Sequence, residues 1–565
     1  MKTIYSLLVL LLVICYSTIV SSQKILSEEE IFGSSSNSNS AESNIQWYSI
    51  TSDFQVLEGK VSNAIGYGYF KDEMSKDGWG KLMIEMTQPN YYAAGFLEGY
   101  LTNSYIYNFS VNYFTNYMNS TDPTLIPEPL VDFALANYAW MQSEFTNSSD
   151  PYSVAVNNVL NQFQGLVKGY QIAADSDKQL NELQLLLINF IGDLGDVVGY
   201  LEYMNSTKHT TTDLTLKELE TIFATKGRCS ALIRLKPDNS ELYASHTTWG
   251  SYFTMLRIYK KLIIPDPMVA NSQVFYSSYP GILTSDDDFS ILQPSNLAII
   301  ETTNDILIPS LYSKVTYQSL LYWVRSVVAN RLSNTGAEWV NNYVQYQSGT
   351  YNNQWQVIDY KLFKPSQPIV PNTLWIVETA PGYYQSQDVS QYLSSASFWA
   401  SYNRPFFVEI QQLMGYTYYE QLYGNILSYD MNPRAMIFKR DQDNVNSLEG
   451  MQAIMTYNQY QTDPYSQGYP GNAIAARFDI ESSATPPKPD SWFYLGIHGG
   501  IDSKIISYQL LNAGLQVAYS GPTHASSQTP PFTWIGTQWE NVTRNGIPET
   551  FDFDWVVIDL PTSSS

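Results

Sequence analysis

Cysteine is nearly absent from this sequence. Of 565 residues only Cys15 and Cys229 are cysteine, and Cys15 lies in a stretch expected to be removed. A chain left with one thiol cannot close an intramolecular disulfide, so its stability has to come from a core, which a chain this long can supply. Histidine is almost as scarce, with four residues. His209, His246, His498 and His524 are scattered, with no His-Glu-x-x-His and no paired cysteines, which argues against a zinc site. Basic residues are few, 30 against 53 acidic, giving a formal net charge of −23 and a pI near 4.5. Such a surface repels phosphate backbones and excludes nucleic acid as a partner. It approaches neutrality only in an acidic vesicle or medium. Also missing are a Gly-x-Ser-x-Gly elbow, a Gly-x-x-x-x-Gly-Lys phosphate loop and internal repeats. The Ser285-Asp286-Asp287-Asp288 run lacks calcium-loop spacing and reads as a solvated turn. No cofactor is implied. After the first 22 residues no apolar stretch comes near the ~20 residues needed to span a bilayer, so stable membrane insertion is not expected.

What remains is globular in composition: 44% hydrophobic, 15% charged and 15% aromatic. The length suits two to four domains or one large layered fold. Residues 1–22 read as a secretory signal, with Lys2 in the positive region, Leu7 to Ile14 as the apolar run and Val20-Ser21-Ser22 at the cleavage site. Five Asn-x-Ser/Thr acceptors, Asn108, Asn119, Asn147, Asn205 and Asn541, fit an exported, secreted or lysosome-like glycoprotein. Residues 23–45 are rich in Ser, Asn and Glu and are expected to be disordered. From about Gln46 to Met86 short aromatic and β-branched runs alternate with turn signals, which predicts strands. The block AAGFLEGYLT, with small residues beside large ones, predicts a closely packed helix. Residues 125–204 are largely helical by periodicity. A helix over Thr215 to Phe223 opens with a Thr215-x-x-Glu218 capping box. Beyond it strands are predicted at 229–236, 241–248, 272–279, 296–302 and 373–379, with helices near 250–262 and 311–332. This pattern fits an α+β layered sandwich better than a parallel βαβ array.

Cys229 opens the first of those strands. Pro237-Asp238-Asn239-Ser240 forms a turn signal between 229–236 and 241–248. Placing Lys236 opposite Glu241 puts Leu235 opposite Leu242, Ile233 opposite Ala244, Ala231 opposite His246 and Cys229 opposite Thr248. One face then reads Cys229, Ala231, Ile233, Leu235, Leu242, Ala244, His246 and Thr248, and the other is mostly polar. A one-residue slip would mix the two faces, so the register is well specified. Cys229 and His246 become diagonal neighbours on the buried face, about 7–8 Å apart at the backbone. A thiol there suits two kinds of nucleophile. It can pair with the imidazole, or the peptide before it can be cut so that the freed α-amine serves as base. Spacing alone also leaves open a small buried hydrophobe.

The blocks GRCSALIRL, SHTTWGSYFTMLRIYK, SSYPGILTSDDDF and IETTND resemble the phospholipase B-like proteins. So do AAGFLEGYLT upstream and WASYNRPFF, SYDMNPRAMIFKRDQ, HGGIDSK and GPTHASSQTPPFTW downstream. The resemblance implies an N-terminal nucleophile hydrolase, a four-layer αββα sandwich cut before the cysteine. It implies an N-terminal fragment 46–228 and a catalytic fragment 229–565 that stay associated. It further implies Cys229 as nucleophile, His246 and Trp249 lining the site, Asn403 as oxyanion donor and Arg434 as a polar site residue. The implied activity is hydrolysis of phospholipid acyl esters through a cysteine acyl-enzyme. The same site could serve an N-acyl amidase, or a self-processed glycoprotein that only binds lipid. With no cysteine downstream of Cys229, any disulfide found in relatives cannot form in this chain.

Overall fold

The Cys229 hairpin folds in the register that its alternation dictates. In the computed structural model, strands Ser230–Leu235 and Leu242–Ser251 pair antiparallel with Ala231 opposite His246 and Leu235 opposite Leu242. The Lys236 amide donates to the Glu241 carbonyl at 3.0 Å, closing the turn, and Asn239 takes the left-handed conformation, φ 56°, that asparagine tolerates there. The structure describes residues 23–33, 45–118, 126–206, 213–225, 229–484 and 494–563. The expected signal peptide, the Asn119 acceptor and His209 lie outside them.

The hairpin sits inside a six-stranded antiparallel sheet. Its spatial order is Phe398–Ser401, Ser230–Leu235, Leu242–Ser251, His498–Ser507, Gln516–Ser520 and Val556–Ile558. An eleven-stranded sheet runs from Tyr383–Asp388 at one edge to Val56–Glu58 at the other. Its neighbours are antiparallel except where Trp79–Met86 lies parallel to Ile258–Ile263. That seam joins residues from both sides of Cys229 into one sheet.

The two sheets face each other. Trp399 Nε1 reaches Gln354 Oε1 on the large sheet at 3.1 Å, and the Ser401 and Thr302 hydroxyls meet between them. The outer face of the small sheet is covered by helix Leu448–Met455, where the Thr247 hydroxyl donates to the Met455 carbonyl. On the large sheet Trp355 packs against Trp339 of helix Gly336–Tyr343, while helix Tyr91–Leu101 packs on the strands ending at Glu73 and Met86. The chain is thus α+β, with large mixed layers of sheet and helix.

AAGFLEGYLT forms the helix Tyr91–Leu101 and crosses Pro151–Ala173 at unusually close range. A Cβ on Gly95 would come within 1.9 Å of the Gln162 carbonyl oxygen, and one on Gly165 within 1.9 Å of the Tyr92 oxygen. Only glycine permits that backbone contact. The capping box also forms: the Thr215 amide donates to Glu218 Oε2 at 2.8 Å and the Glu218 amide to Thr215 Oγ1 at 3.2 Å.

Three expectations fail, each for a physical reason. Residues 250–262 are not a helix but a 3₁₀ turn, Tyr252–Thr254, followed by strand Ile258–Ile263. There the apparently solvent-seeking Lys260 is buried against Glu98 at 2.7 Å. Part of 23–45 is ordered: Glu28–Gly33 is helical, Ile31 is buried, and the Leu26 amide donates to Gln452 Oε1. In 311–332 the helix begins only at Tyr322, after a 3₁₀ turn at Pro309–Lys314. Among the described residues no single helix is long and apolar enough to cross a membrane. Only the pair Glu182–Asn189 and Ile191–Asn205, bent by 93°, passes on length and composition together.

Candidate active site around Cys229

Cys229 immediately precedes its strand with φ 90°, a conformation that costs an L-residue strain. Its thiol is fully buried. Sγ lies 3.9 Å from Asp287 Oδ1, within reach of a sulfur hydrogen bond. Donor atoms of Cys229, His246 and Glu301 all lie within 4.8 Å of one another. His246 reaches this point because it stands one pair along the ladder from the cysteine, opposite Ala231. Its Nδ1 is 3.4 Å from Thr248 Oγ1.

Arg434 fixes the main chain at the cysteine. It occupies the first turn of helix Pro433–Asp441, which Pro433 starts and the Asn432 side chain caps through the Ala435 amide. Nη1 donates to the Cys229 carbonyl at 2.6 Å and to Ser230 Oγ at 3.2 Å. Nη2 donates to the Tyr402 carbonyl and to Asn403 Oδ1, both at 2.7 Å. The guanidinium lies 4.2 Å from the centre of the Trp249 ring, whose Nε1 donates to the Ile474 carbonyl. Asn403 is left-handed, φ 63°, and its Nδ2 donates to the Thr303 carbonyl at 2.7 Å. All five residues singled out in the sequence are therefore brought together, from three separate segments of the chain.

Sequence reasoning missed the charged groups around them. The Asp286–Asp288 run is buried, not solvated. Tyr279 donates to Asp287 Oδ2 at 2.7 Å, Tyr322 donates to Asp288, and the amides of Asp286 and Asp287 donate to the Tyr322 and Tyr351 hydroxyls. The opposite charge comes from the neighbouring strand His498–Ser507. Lys504 pairs with Asp502 at 2.5 Å and Arg257 Nε lies 2.8 Å from Asp502 Oδ2, all fully buried. The signal available in the sequence was the density of tyrosine around the aspartates. Partners so distant in the chain left no spacing to read.

These charges set the protonation states. Burial first, then Glu301 and Asp287, pushes the Cys229 thiol well above its usual range, so in the uncut chain it rests as a thiol. Burial, with Lys504 and Arg257 adding to it, pushes His246 well down and keeps the imidazole neutral. Burial raises Asp288 to about 8 and lifts Glu301 far above the carboxylate range, with Asp288 and Asp287 adding to it. Burial, then Arg404, draws Arg434 down to about 9. The Cys229–His246–Glu301 donor set is of the kind that takes a soft divalent cation. Lys504 and Arg257, the cations that lower His246, oppose further positive charge beside it.

Two cavities flank Trp249. One, of about 550 Å³, is mainly apolar, with Phe223, Ile426 and Phe478 in its wall and Arg404 and Arg434 at its polar side. The other, of about 470 Å³, is lined by Phe109, Tyr113, Tyr279, Asp286 and Asp287. Of the glycosylation acceptors, Asn147, Asn205 and Asn541 are exposed. Asn108 is half-buried, its amide lying against Gly546.

Comparison with known proteins agrees along the whole length. The family model for phospholipase B matches residues 66–558. Phospholipase B-like protein F of Dictyostelium discoideum is 53% identical over 549 residues, covering 95% of each chain. Phospholipase B-like protein E of the same organism is 44% identical over 530 residues, covering 92% of this chain and 95% of the relative. A phospholipase B of Crotalus adamanteus is 33% identical over 528 residues, covering 91% and 92%. The chain belongs to the phospholipase B family.

Proposed function

We propose, with that membership as premise, that this chain hydrolyses acyl ester bonds of phospholipids through a Cys229 acyl-enzyme, after cutting itself before Cys229. The stacking of helix, two sheets and helix supports reading the fold as a four-layer sandwich of the N-terminal nucleophile type. The observation that carries the proposal is the convergence on Cys229. A strained, buried thiol at the head of a strand has its carbonyl held by Arg434, with Asn403 on the same guanidinium.

In the first stage the Cys229 sulfur attacks the carbonyl carbon of Arg228. The C–S bond forms, the C–N bond breaks, and the nitrogen becomes the α-amine of Cys229. Water then hydrolyses the thioester, leaving the Arg228 carboxylate and a free thiol. In turnover the new amine, with an ordinary pKa near 7.7–8, takes the thiol proton. The thiolate attacks a substrate ester held in the apolar cavity, the alcohol departs, and water releases the fatty acid. Asn403 serves as oxyanion donor. Arg434 holds its Oδ1 and its Nδ2 donates to the Thr303 carbonyl, so the amide is fixed in orientation, and a donor of this kind contributes about 10²–10³ in rate. His246 and Trp249 shape the site, and export with glycosylation at Asn147, Asn205 and Asn541 belongs to the same reading.

N-terminal sequencing of the mature polypeptides tests it. Fragments starting near Gln23 and at Cys229 are expected. A single unbroken chain would refute the cut. A second reading, hydrolysis of N-acyl amide lipids, is favoured by one feature. Both arginines lining the apolar cavity donate to main-chain carbonyls, Arg404 to Ile426 and Asn403, Arg434 to Cys229 and Tyr402. Neither guanidinium is presented as a dedicated phosphate anchor. Matched phosphatidylcholine and N-acyl amide substrates separate the two, and activity on neither would leave a self-processed lipid-binding glycoprotein.

A further inference from the structure

We propose that Asp287 is the catalytic base and acid of the self-cleavage step, and that His246 is not. This rests on the self-cleavage reading above and assigns its proton transfers. In the uncut chain Cys229 has no α-amine, so another group has to accept the thiol proton. Three stand close enough: His246 and Glu301, within 4.8 Å, and Asp287, whose Oδ1 is in contact with Sγ at 3.9 Å; Glu301, lifted far above the carboxylate range, already holds its proton.

The surrounding charges decide between them. A proton on His246 would create an imidazolium beside Lys504 and Arg257, two buried cations that already disfavour it. A proton on Asp287 adds no cation: it leaves a neutral carboxyl among the buried carboxyl groups of Asp286, Asp288 and Glu301. The first transfer builds repulsion and the second does not. Geometry favours the same choice. The Tyr279 hydroxyl holds Oδ2 at 2.7 Å and the Tyr351 hydroxyl accepts from the Asp287 amide at 3.1 Å, which leaves Oδ1 aimed at sulfur. Asp287 is itself left-handed, φ 72°, a strained position that these two tyrosines hold in place.

The step then balances. The Asp287 carboxylate takes the proton from Sγ, and the thiolate adds to the Arg228 carbonyl carbon. The protonated Asp287 returns that proton to the departing nitrogen of Cys229 as the C–N bond breaks. The carboxylate is regenerated, and one water is consumed when the thioester hydrolyses. Afterwards the α-amine takes over as base, and Asp287 has no further proton to carry.

The test uses full-length chains in which residues 226–228 are replaced by a protease recognition sequence ending before Cys229, alongside chains with the natural residues. In natural chains Asp287→Asn is expected to slow the appearance of a Cys229 N-terminus by at least about 100-fold, the usual scale of general acid–base assistance. His246→Gln should slow it by less than about tenfold. Once the added protease has freed Cys229, the otherwise wild-type chain should hydrolyse a soluble ester, which shows that the replaced residues leave the site intact. Where Asp287→Asn shows no cooperative thermal unfolding, Tyr279→Phe decides, with cleavage expected to slow about tenfold. Self-cleavage of Asp287→Asn at the wild-type rate overturns the proposal, as does unchanged cleavage in a folded Tyr279→Phe. A His246→Gln defect larger than that of Asp287→Asn also overturns it. An uncut wild type sinks the self-cleavage reading itself, an outcome distinct from all of these.

Discussion

The two faces of the six-stranded sheet are both buried and both polar, yet they handle polarity in opposite ways. On the helix-covered face the hydroxyls end on main-chain carbonyls: Ser230 on Ile474, Ser245 on Leu232, Thr247 on Met455. Each is neutral and has a partner within reach. On the face toward the large sheet stand Cys229, His246, Asp502 and Lys504, opposed by Asp287 and Glu301. There the charges outnumber their exact counter-charges, and protonation states move as a result. Hydroxyls tied to carbonyls stabilise a fold without reacting. Carboxyls pushed out of their range are held where chemistry needs them, at a cost in stability.

Substitutions test that contrast in descending order of effect. Cys229→Ala should abolish both the cut and ester hydrolysis while the protein still unfolds cooperatively, as seen by gel and calorimetry. A variant that retains activity would make the thiol a spectator. Arg434→Met removes the group that orients Asn403 and holds the Cys229 carbonyl. Hydrolysis after cutting should fall about 10²–10³-fold, measured as kcat with KM changing much less.

Changing pH acts through buried titratable groups, those of the charged face among them. Asp288 sits at about 8 and Glu378 at about 7 in the folded chain, both raised mainly by burial. Their unfolded values are near 4, so the folded state binds more protons across that window. Stability is therefore fully present below about pH 4 for these groups and is lost as pH rises toward 8. His246 and His524 are lowered by burial and act in the opposite sense, but only below about pH 6.5. The melting temperature should accordingly fall between pH 6.5 and 8, and Asp288→Asn should flatten that fall. The smallest effect belongs to the quiet face. Thr247→Val should cost about 1 kcal/mol of stability and leave cutting and hydrolysis unchanged.

How much of this could be read in the sequence follows the same division. The hairpin register was legible because alternation has a period of two and one slip would ruin it, so Ala231 does lie opposite His246. The glycines of AAGFLEGYLT announced a close helix crossing that the structure contains. Trp249, Asn403 and Arg434 came only through family resemblance, since nothing local distinguishes a site arginine from a surface one. Local polarity also misled. Asp286 to Asp288 looked like a solvated turn and Lys260 like part of a helix, because their partners, Tyr322, Tyr351 and Glu98, lie far away in the chain. Buried charge is a property of the assembled layers, not of a window of residues.

The parallel seam between Trp79–Met86 and Ile258–Ile263 has a consequence for how long such a molecule lasts. If the bond before Cys229 is cut as proposed, the seam no longer joins two parts of one chain but holds two chains together. Opening it then releases two molecules whose reunion depends on concentration, whereas the uncut chain refolds at a rate indifferent to dilution. In a dilute compartment the cut protein would persist through slow opening rather than through reversible equilibrium. Cut as proposed, it would be assembled once, as a single chain, and its working lifetime would be the time that seam stays shut.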